Sequence, residues 1–266
     1  MKSLMKKLLN KKTIIAVALV FLVGFGALVA NNYKTKTSFK YNNQSAEELK
    51  PQENPQDPVS QAVVEDAKAQ QEARNNSELL KILPEDYVLG DKNAPVLFIE
   101  YASLSCPHCA TFVREAFEKL KTEYIDTGKI AFVFRNFPLN HPALAGALLS
   151  ECQAQSQDNP QSAVEKYYST TKILFRTQDN WAFDQKFIEK LEAIFRLDGM
   201  NSQKFNACIN DKALQDKILK HRMEVAKSLF IKSTPSFFAN GEISEGYVDY
   251  LTLKKLIDKK LEESKK

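Results

Sequence analysis

The chain has 266 residues, 44% hydrophobic and 26% charged, an ordinary globular balance with room for one sizeable domain plus extensions. Its formal net charge of +4 is concentrated at the start: Lys2, Lys6, Lys7, Lys11 and Lys12 fall within the first 30 residues, and no acidic residue precedes Glu47. Beyond residue 30, 32 basic side chains remain of the 37, against 33 acidic ones, so overall basicity gives no ground for nucleic-acid binding.

After the lysines, Ile14 to Ala30 is a run of seventeen residues without a polar side chain. A basic flank followed by an apolar run reads as an export leader. The run also reaches the lower limit of a membrane-spanning helix, roughly 17 residues, so residues 1–30 are either a cleaved signal peptide or an N-terminal membrane anchor. Both place the rest of the chain outside the cytoplasm, in the periplasm, by the positive-inside rule. Residues 31–77 are polar, with Pro51, Pro55 and Pro58, and are expected to be a disordered linker carrying a short helix near residues 59–73.

The folded domain is predicted over residues 78–266. Tyr87-Val-Leu is a short strand closed by the turn cluster Gly90-Asp-Lys-Asn. Val96-Leu-Phe-Ile-Glu-Tyr101 is a nearly continuous apolar run, as expected of a central strand buried on both faces. Four residues later stands Cys106-Pro-His-Cys109, and then Phe112, Val113, Phe117, Leu120 and Tyr124 recur at helical spacing as far as Gly128. Residues 130–137 are the next strand, completing a βαβ unit with a right-handed crossover. Residues 142–231 read as helices only, at about 143–156, 161–176, 184–196, 202–209 and 212–230. A hairpin follows over 236–244 with an Asn240-Gly241 turn, and an amphipathic helix covers about 249–263. The fold class is therefore α/β: βαβ, a helical insertion, then ββα.

Four cysteines are too few for a disulfide-dense scaffold but suffice for one reactive pair and one further bond. A zinc site lacks a second CxxC or a histidine pair, and haem attachment lacks a histidine at position 110. A structural disulfide between residues three apart would close a small loop of little entropic value. A strand, a short loop and a CxxC on the first turn of a helix instead suit thiol–disulfide exchange. Cys106 would sit where unpaired backbone N–H groups stabilise a thiolate, with Pro107 at a helical position that needs no N–H. The helix dipole supplies only about 0.3–2 kcal/mol, so direct N–H···S bonds and His108 are expected to add to it. Cys109, further into the helix, is the expected resolving thiol. No cofactor or metal is expected.

Phe98-Ile-Glu-Tyr-Ala-Ser-Leu-Ser-Cys-Pro-His-Cys109, Phe137-Pro-Leu-Asn-His-Pro142 and Ser233-Thr-Pro-Ser-Phe-Phe-Ala-Asn-Gly241 resemble the DsbA-type branch of the thioredoxin superfamily over about residues 80–262. The resemblance implies a thioredoxin-like fold and an enzyme that introduces disulfides into exported proteins. Exported cysteine-containing proteins are then its clients, and a membrane quinone-linked thiol oxidase of DsbB type reoxidises it. A monomer is expected. Thr234-Pro235 matches the family's cis-proline loop, which faces the active site and offers its backbone to an extended client. On its own, Thr-Pro before a strand is more often an ordinary turn.

Glu100 matches the buried acid six residues before the first cysteine, implied to move a proton for Cys109; a hydrogen-bonded strand-end glutamate is the alternative. Some members carry a second cysteine pair in the insertion, so Cys152 and Cys208 are implied to form a structural disulfide, with two buried free thiols as the alternative. Two other functions stay open: a disulfide isomerase or reductase, and a chaperone-like binding module whose cysteines are secondary.

Overall fold

The computed structural model describes residues 58–75 and 77–266; the expected leader and the linker up to residue 57 lie outside the described residues. Five strands form one sheet in the order β1-β3-β2-β4-β5. They are β1 Val88–Leu89, β2 Val96–Ala102, β3 Ile130–Asn136, β4 Ser236–Ala239 and β5 Glu242–Glu245. β2 runs parallel to β3, with Phe98 opposite Phe132 and Glu100 opposite Phe134, and antiparallel to β4, with Glu100 opposite Phe237. The centre of the sheet is thus the apolar run the sequence marks, and the parallel pair is the one joined by a helix.

Strand alternation sorts the core into two clusters. Phe98, Ala102, Phe132, Phe134 and Phe237 point to one face, and Ile99, Tyr101, Val133 and Phe238 to the other. The first face carries α2 Pro107–Glu115, the insertion and the closing helix α9 Tyr250–Glu263. The insertion comprises α4 His141–Gln155, α5 Pro160–Arg176, α6 Phe187–Leu197, α7 Ser202–Ile209 and α8 Lys212–Ser228. Val225 near the end of α8, Leu229 and Leu79 cover the second face. Asn140, Asn159, Asn201, Asp211 and Asp249 each cap a helix by accepting from a backbone N–H three residues on.

The single helix expected from Cys106 to Gly128 is broken. α2 ends at Glu115, Ala116 has φ −116°, a short helix α3 spans Phe117–Leu120, and a π turn covers Lys121–Ile125. Phe112 and Phe117, five residues apart, would point about 140° from each other on a straight helix. Both are buried, and Phe117 lies 5.4 Å from Phe132 while Phe112 lies 4.8 Å from Phe237. The break lets both rings reach the core.

α4 is buried almost all round, and its small residues admit close neighbours. A Cβ at Gly146 would stand 3.1 Å from a Leu104 methyl and 3.4 Å from the Trp181 ring. The Cys152–Cys208 disulfide, Cα atoms 5.7 Å apart, fastens α4 to α7.

The helix expected in the polar segment is α1 Pro58–Asn75. Its last turn is not wholly solvated. Arg74 is buried, donates from Nε to the Leu229 carbonyl at 2.9 Å, and lies over the Phe230 ring. A cation thus meets the C-terminal end of α8. Asn240, at φ 43°, makes the hairpin turn with Gly241 at φ 87°. Its carboxamide also accepts from Leu97 N at 2.8 Å and donates to the Pro95 carbonyl at 3.0 Å, tying the turn to the start of β2. Among the described residues, no helix is long and apolar enough to cross a membrane.

Candidate active site

β2 delivers the chain to the site. Ser103 to Ser105 form a tight loop in which Cys106 N donates to the Ser103 carbonyl at 2.9 Å. Cys106 then adopts an extended N-cap conformation, φ −83° and ψ 121°, with Pro107 opening α2. This turns its sulfur back over the first helical turn, where the N–H groups have no carbonyl partner.

The two cysteines are free thiols in unequal surroundings. Cys106 is 7% exposed and Cys109 0%. The Cys106 thiol is pulled down to about 5, chiefly by the hydrogen bond from the Cys109 thiol, with further help from the Thr234 side chain and the backbone N–H groups of Cys109 and His108; burial opposes them. Cys109 is pushed well up, first by burial, then by sharing its proton with Cys106 and by the charges of Glu100 and Cys106. One sulfur is held as a thiolate and its neighbour as a thiol.

Every residue singled out in the sequence for this chemistry stands here. Thr234 and Pro235, joined by a cis peptide bond, approach from the start of β4, with the Thr234 carbonyl 3.2 Å from the Cys106 sulfur. The Thr234 hydroxyl is buried with no hydrogen-bond partner of ordinary length. Pro107 and His108 are exposed. His108 bears on Cys106 through its backbone N–H, while its ring stacks on Tyr247 with centroids 5.9 Å apart. Tyr247 in turn donates to Glu115 at 3.0 Å.

Glu100 is 2% exposed, with Oε1 unpartnered. Burial first, and then the negative charge of Cys106, push its carboxyl well above the ordinary range. It lines a cavity of about 20 Å³ shared with Thr171 and Lys172 of α5. The Glu100 side chain is thus buried near Val113 of α2 and Phe132 of β3. Cys152 and Cys208 are bonded to each other within the insertion, apart from this site.

Two buried side-chain anchors, one at the site and one away from it, carry no sequence signal. Gln178, in the insertion, donates from Nε2 to the carbonyls of Leu104 and Cys106 at 2.8 and 3.0 Å. Arg135 of β3 forms a buried ion pair with Asp86 at 2.6 Å and donates to Tyr101 and to the carbonyls of Leu79 and Lys81, locking the segment before β1 to the sheet. Neither residue belongs to a local pattern.

A strand leading into a cysteine pair at a helix N-terminus, faced by a cis-proline loop and roofed by a helical insertion, is the arrangement of a thiol–disulfide oxidoreductase of thioredoxin-like fold. The thioredoxin family model matches residues 83–259, and the chain belongs to that family, within its DsbA-type branch. It is 32% identical over 211 residues to a Rickettsia prowazekii chain named as a protein-disulfide oxidoreductase, covering 78% of this chain and 74% of that one. It is 29% identical over 175 residues to a Bacillus anthracis chain named for disulfide bond formation, covering 65% and 77%. Alpha-DsbA1 of Wolbachia pipientis superposes with a TM-score of 0.64 at 37% identity, over 70% of this chain and 96% of that one. BdbD of Bacillus subtilis, at 22% identity and a TM-score of 0.59, shares the fold. The protein is a protein-disulfide oxidoreductase acting by dithiol–disulfide exchange.

Proposed function

We propose that Cys106 and Cys109 are the exchanging pair and that the chain oxidises cysteines of exported proteins in the periplasm. The observation that carries this is the split in acidity between the two sulfurs, one pulled down to about 5 and the other pushed up by burial. A site whose reduced form is stabilised as a thiolate is an oxidant in its disulfide form.

In the oxidised site a client thiolate attacks Cys106, the better exposed sulfur. The Cys106–Cys109 bond breaks, the mixed disulfide forms, and Cys109 leaves and takes up a proton. Glu100, whose carboxyl keeps its proton beneath α2, is the nearby donor. A second client thiolate then attacks the client sulfur of the mixed disulfide and expels Cys106 as a thiolate. Two electrons pass from the client to the site. Of the two client protons one ends on Cys109 and the other is released. Thr234 and Pro235 position the client chain beside Cys106, and Pro107 and His108 tune the first turn of α2.

On this reading residues 1–30 are the export leader, residues 31–77 the linker, and residues 78–266 a monomeric catalytic domain. A membrane quinone-linked thiol oxidase of DsbB type returns the pair to the disulfide. The test is the reduction potential of Cys106–Cys109 in redox buffers. A value near about −120 mV is expected, and one near about −270 mV would make the chain a reductant instead.

A further inference from the structure

We infer that Gln178 is a positioning residue through which the helical insertion sets the acidity of Cys106, an inference that rests on Cys106 being the exchanging thiol. Gln178 opens the single turn Gln178–Asn180 after α5 and is 1% exposed. Its carboxamide nitrogen has two N–H groups, and both are given to the loop that carries the site, to Leu104 O at 2.8 Å and Cys106 O at 3.0 Å. These carbonyls flank Ser105, where β2 turns into α2.

The donor is itself held rigidly. The Gln178 carbonyl accepts from Trp181 N at 3.2 Å and from Ala182 N at 2.9 Å. Trp181 is fully buried, and its indole nitrogen donates to the Leu174 carbonyl at 3.0 Å. The Leu104 side chain is pressed into the same place, against Gly146 and beside Trp181. The insertion therefore grips the loop twice, by its backbone through Gln178 and by its side chain at Leu104.

The Cys106 carbonyl already accepts the first bond of α2, from Ala110 N at 3.1 Å. The second bond, from Gln178, fixes the direction of the peptide that follows Cys106. That peptide's rotation decides whether the sulfur lies over the N–H groups of His108 and Cys109 or swings away from them. The two N–H groups of Gln178 offset the negative ends of two buried carbonyl dipoles close to a sulfur that must carry negative charge. Both effects make the thiolate easier to form, so loss of the donor should make Cys106 a weaker acid even with the fold intact.

Gln178→Met keeps the length and volume of the side chain and removes both donors. Thiolate absorbance of the reduced full chain is titrated for wild type and variant, with thermal melts alongside. Expected is a half-titration point about one unit higher in the variant, so that at pH 5 the Cys106 thiolate falls from about half the population to about a tenth. The glutathione equilibrium of the pair should shift about tenfold in the same sense, about 30 mV less oxidising. If wild type titrates low and the variant equally low, whatever its melting temperature, Gln178 only packs and the inference is overturned while the redox reading stands. If wild type titrates like free cysteine, the redox reading fails and takes the inference with it. Should Gln178→Met not fold, Gln178→Asn, which keeps the polarity but not the reach, is judged by the same two outcomes.

Discussion

Replacing Glu100 by glutamine should change how stability depends on pH. The side chain is 2% exposed, Oε1 has no partner, and burial pushes its carboxyl well above the ordinary value of 4.5. The sign follows from proton counting. Above about pH 4.5 the unfolded chain has lost this proton while the folded chain still holds it, so stability falls as pH rises, and the loss stops only where the folded carboxyl finally ionises. The slope approaches about 1.4 kcal/mol per pH unit from about pH 5 upward, over the range in which the folded carboxyl keeps its proton.

Glu100→Gln never ionises and should lack that slope, whatever fixed cost its buried amide adds. Urea unfolding of both forms in a Cys106→Ala/Cys109→Ala background removes the titrating sulfurs and leaves the Cys152–Cys208 bond in place. The variant should gain on the parent steadily across this range. Parallel stability curves, with a gap that does not change with pH, would refute the argument that this carboxyl is held protonated by burial.

Thr234→Val should raise the pKa of Cys106 from about 5 by about one unit, read by thiolate absorbance, because the hydroxyl that helps to hold the thiolate is lost. Replacing Cys152 and Cys208 together by alanine opens a loop whose ends are 56 residues apart and should cost up to ~4 kcal/mol in urea unfolding; a loss below about 1 kcal/mol would mean the insertion holds α4 and α7 together without it. Arg135→Met leaves Asp86 buried without its partner and should cost about 3–5 kcal/mol, while the thiolate titration of Cys106 stays where it is. A shift of that titration would tie the ion pair to the site.

The readable parts of this fold are those with a local period. The apolar run at 96–101 gave β2, Asn240-Gly241 gave the hairpin, and the five helices of the insertion lie within three residues of their expected bounds at either end. The position of the CxxC was legible because a helix starts soon after a strand there, and both neighbours are coded nearby. What was hidden depends on residues distant in sequence. Gln178 meets Leu104 and Cys106 across 74 and 72 positions, Arg135 meets Asp86 across 49, and Arg74 meets Leu229 across 155. Each is a single polar side chain whose partner is mostly a backbone carbonyl, which has no sequence signature at all. The break at Ala116 was hidden for a related reason: helical spacing located Phe112 and Phe117 but not the two separate pockets that receive them.

The clasp made by Asn240 has a chemical weakness. In an Asn-Gly step the following nitrogen, unhindered by a Cβ, can attack the carboxamide carbon and expel ammonia, leaving aspartate or isoaspartate after hydrolysis. Either product has lost the amide hydrogens that Asn240 gives to Pro95. Ageing of this one turn would therefore unfasten the leading end of the strand whose other end presents Cys106, and the hydrogen bonds that hold the carboxamide in place are also what slows that decay.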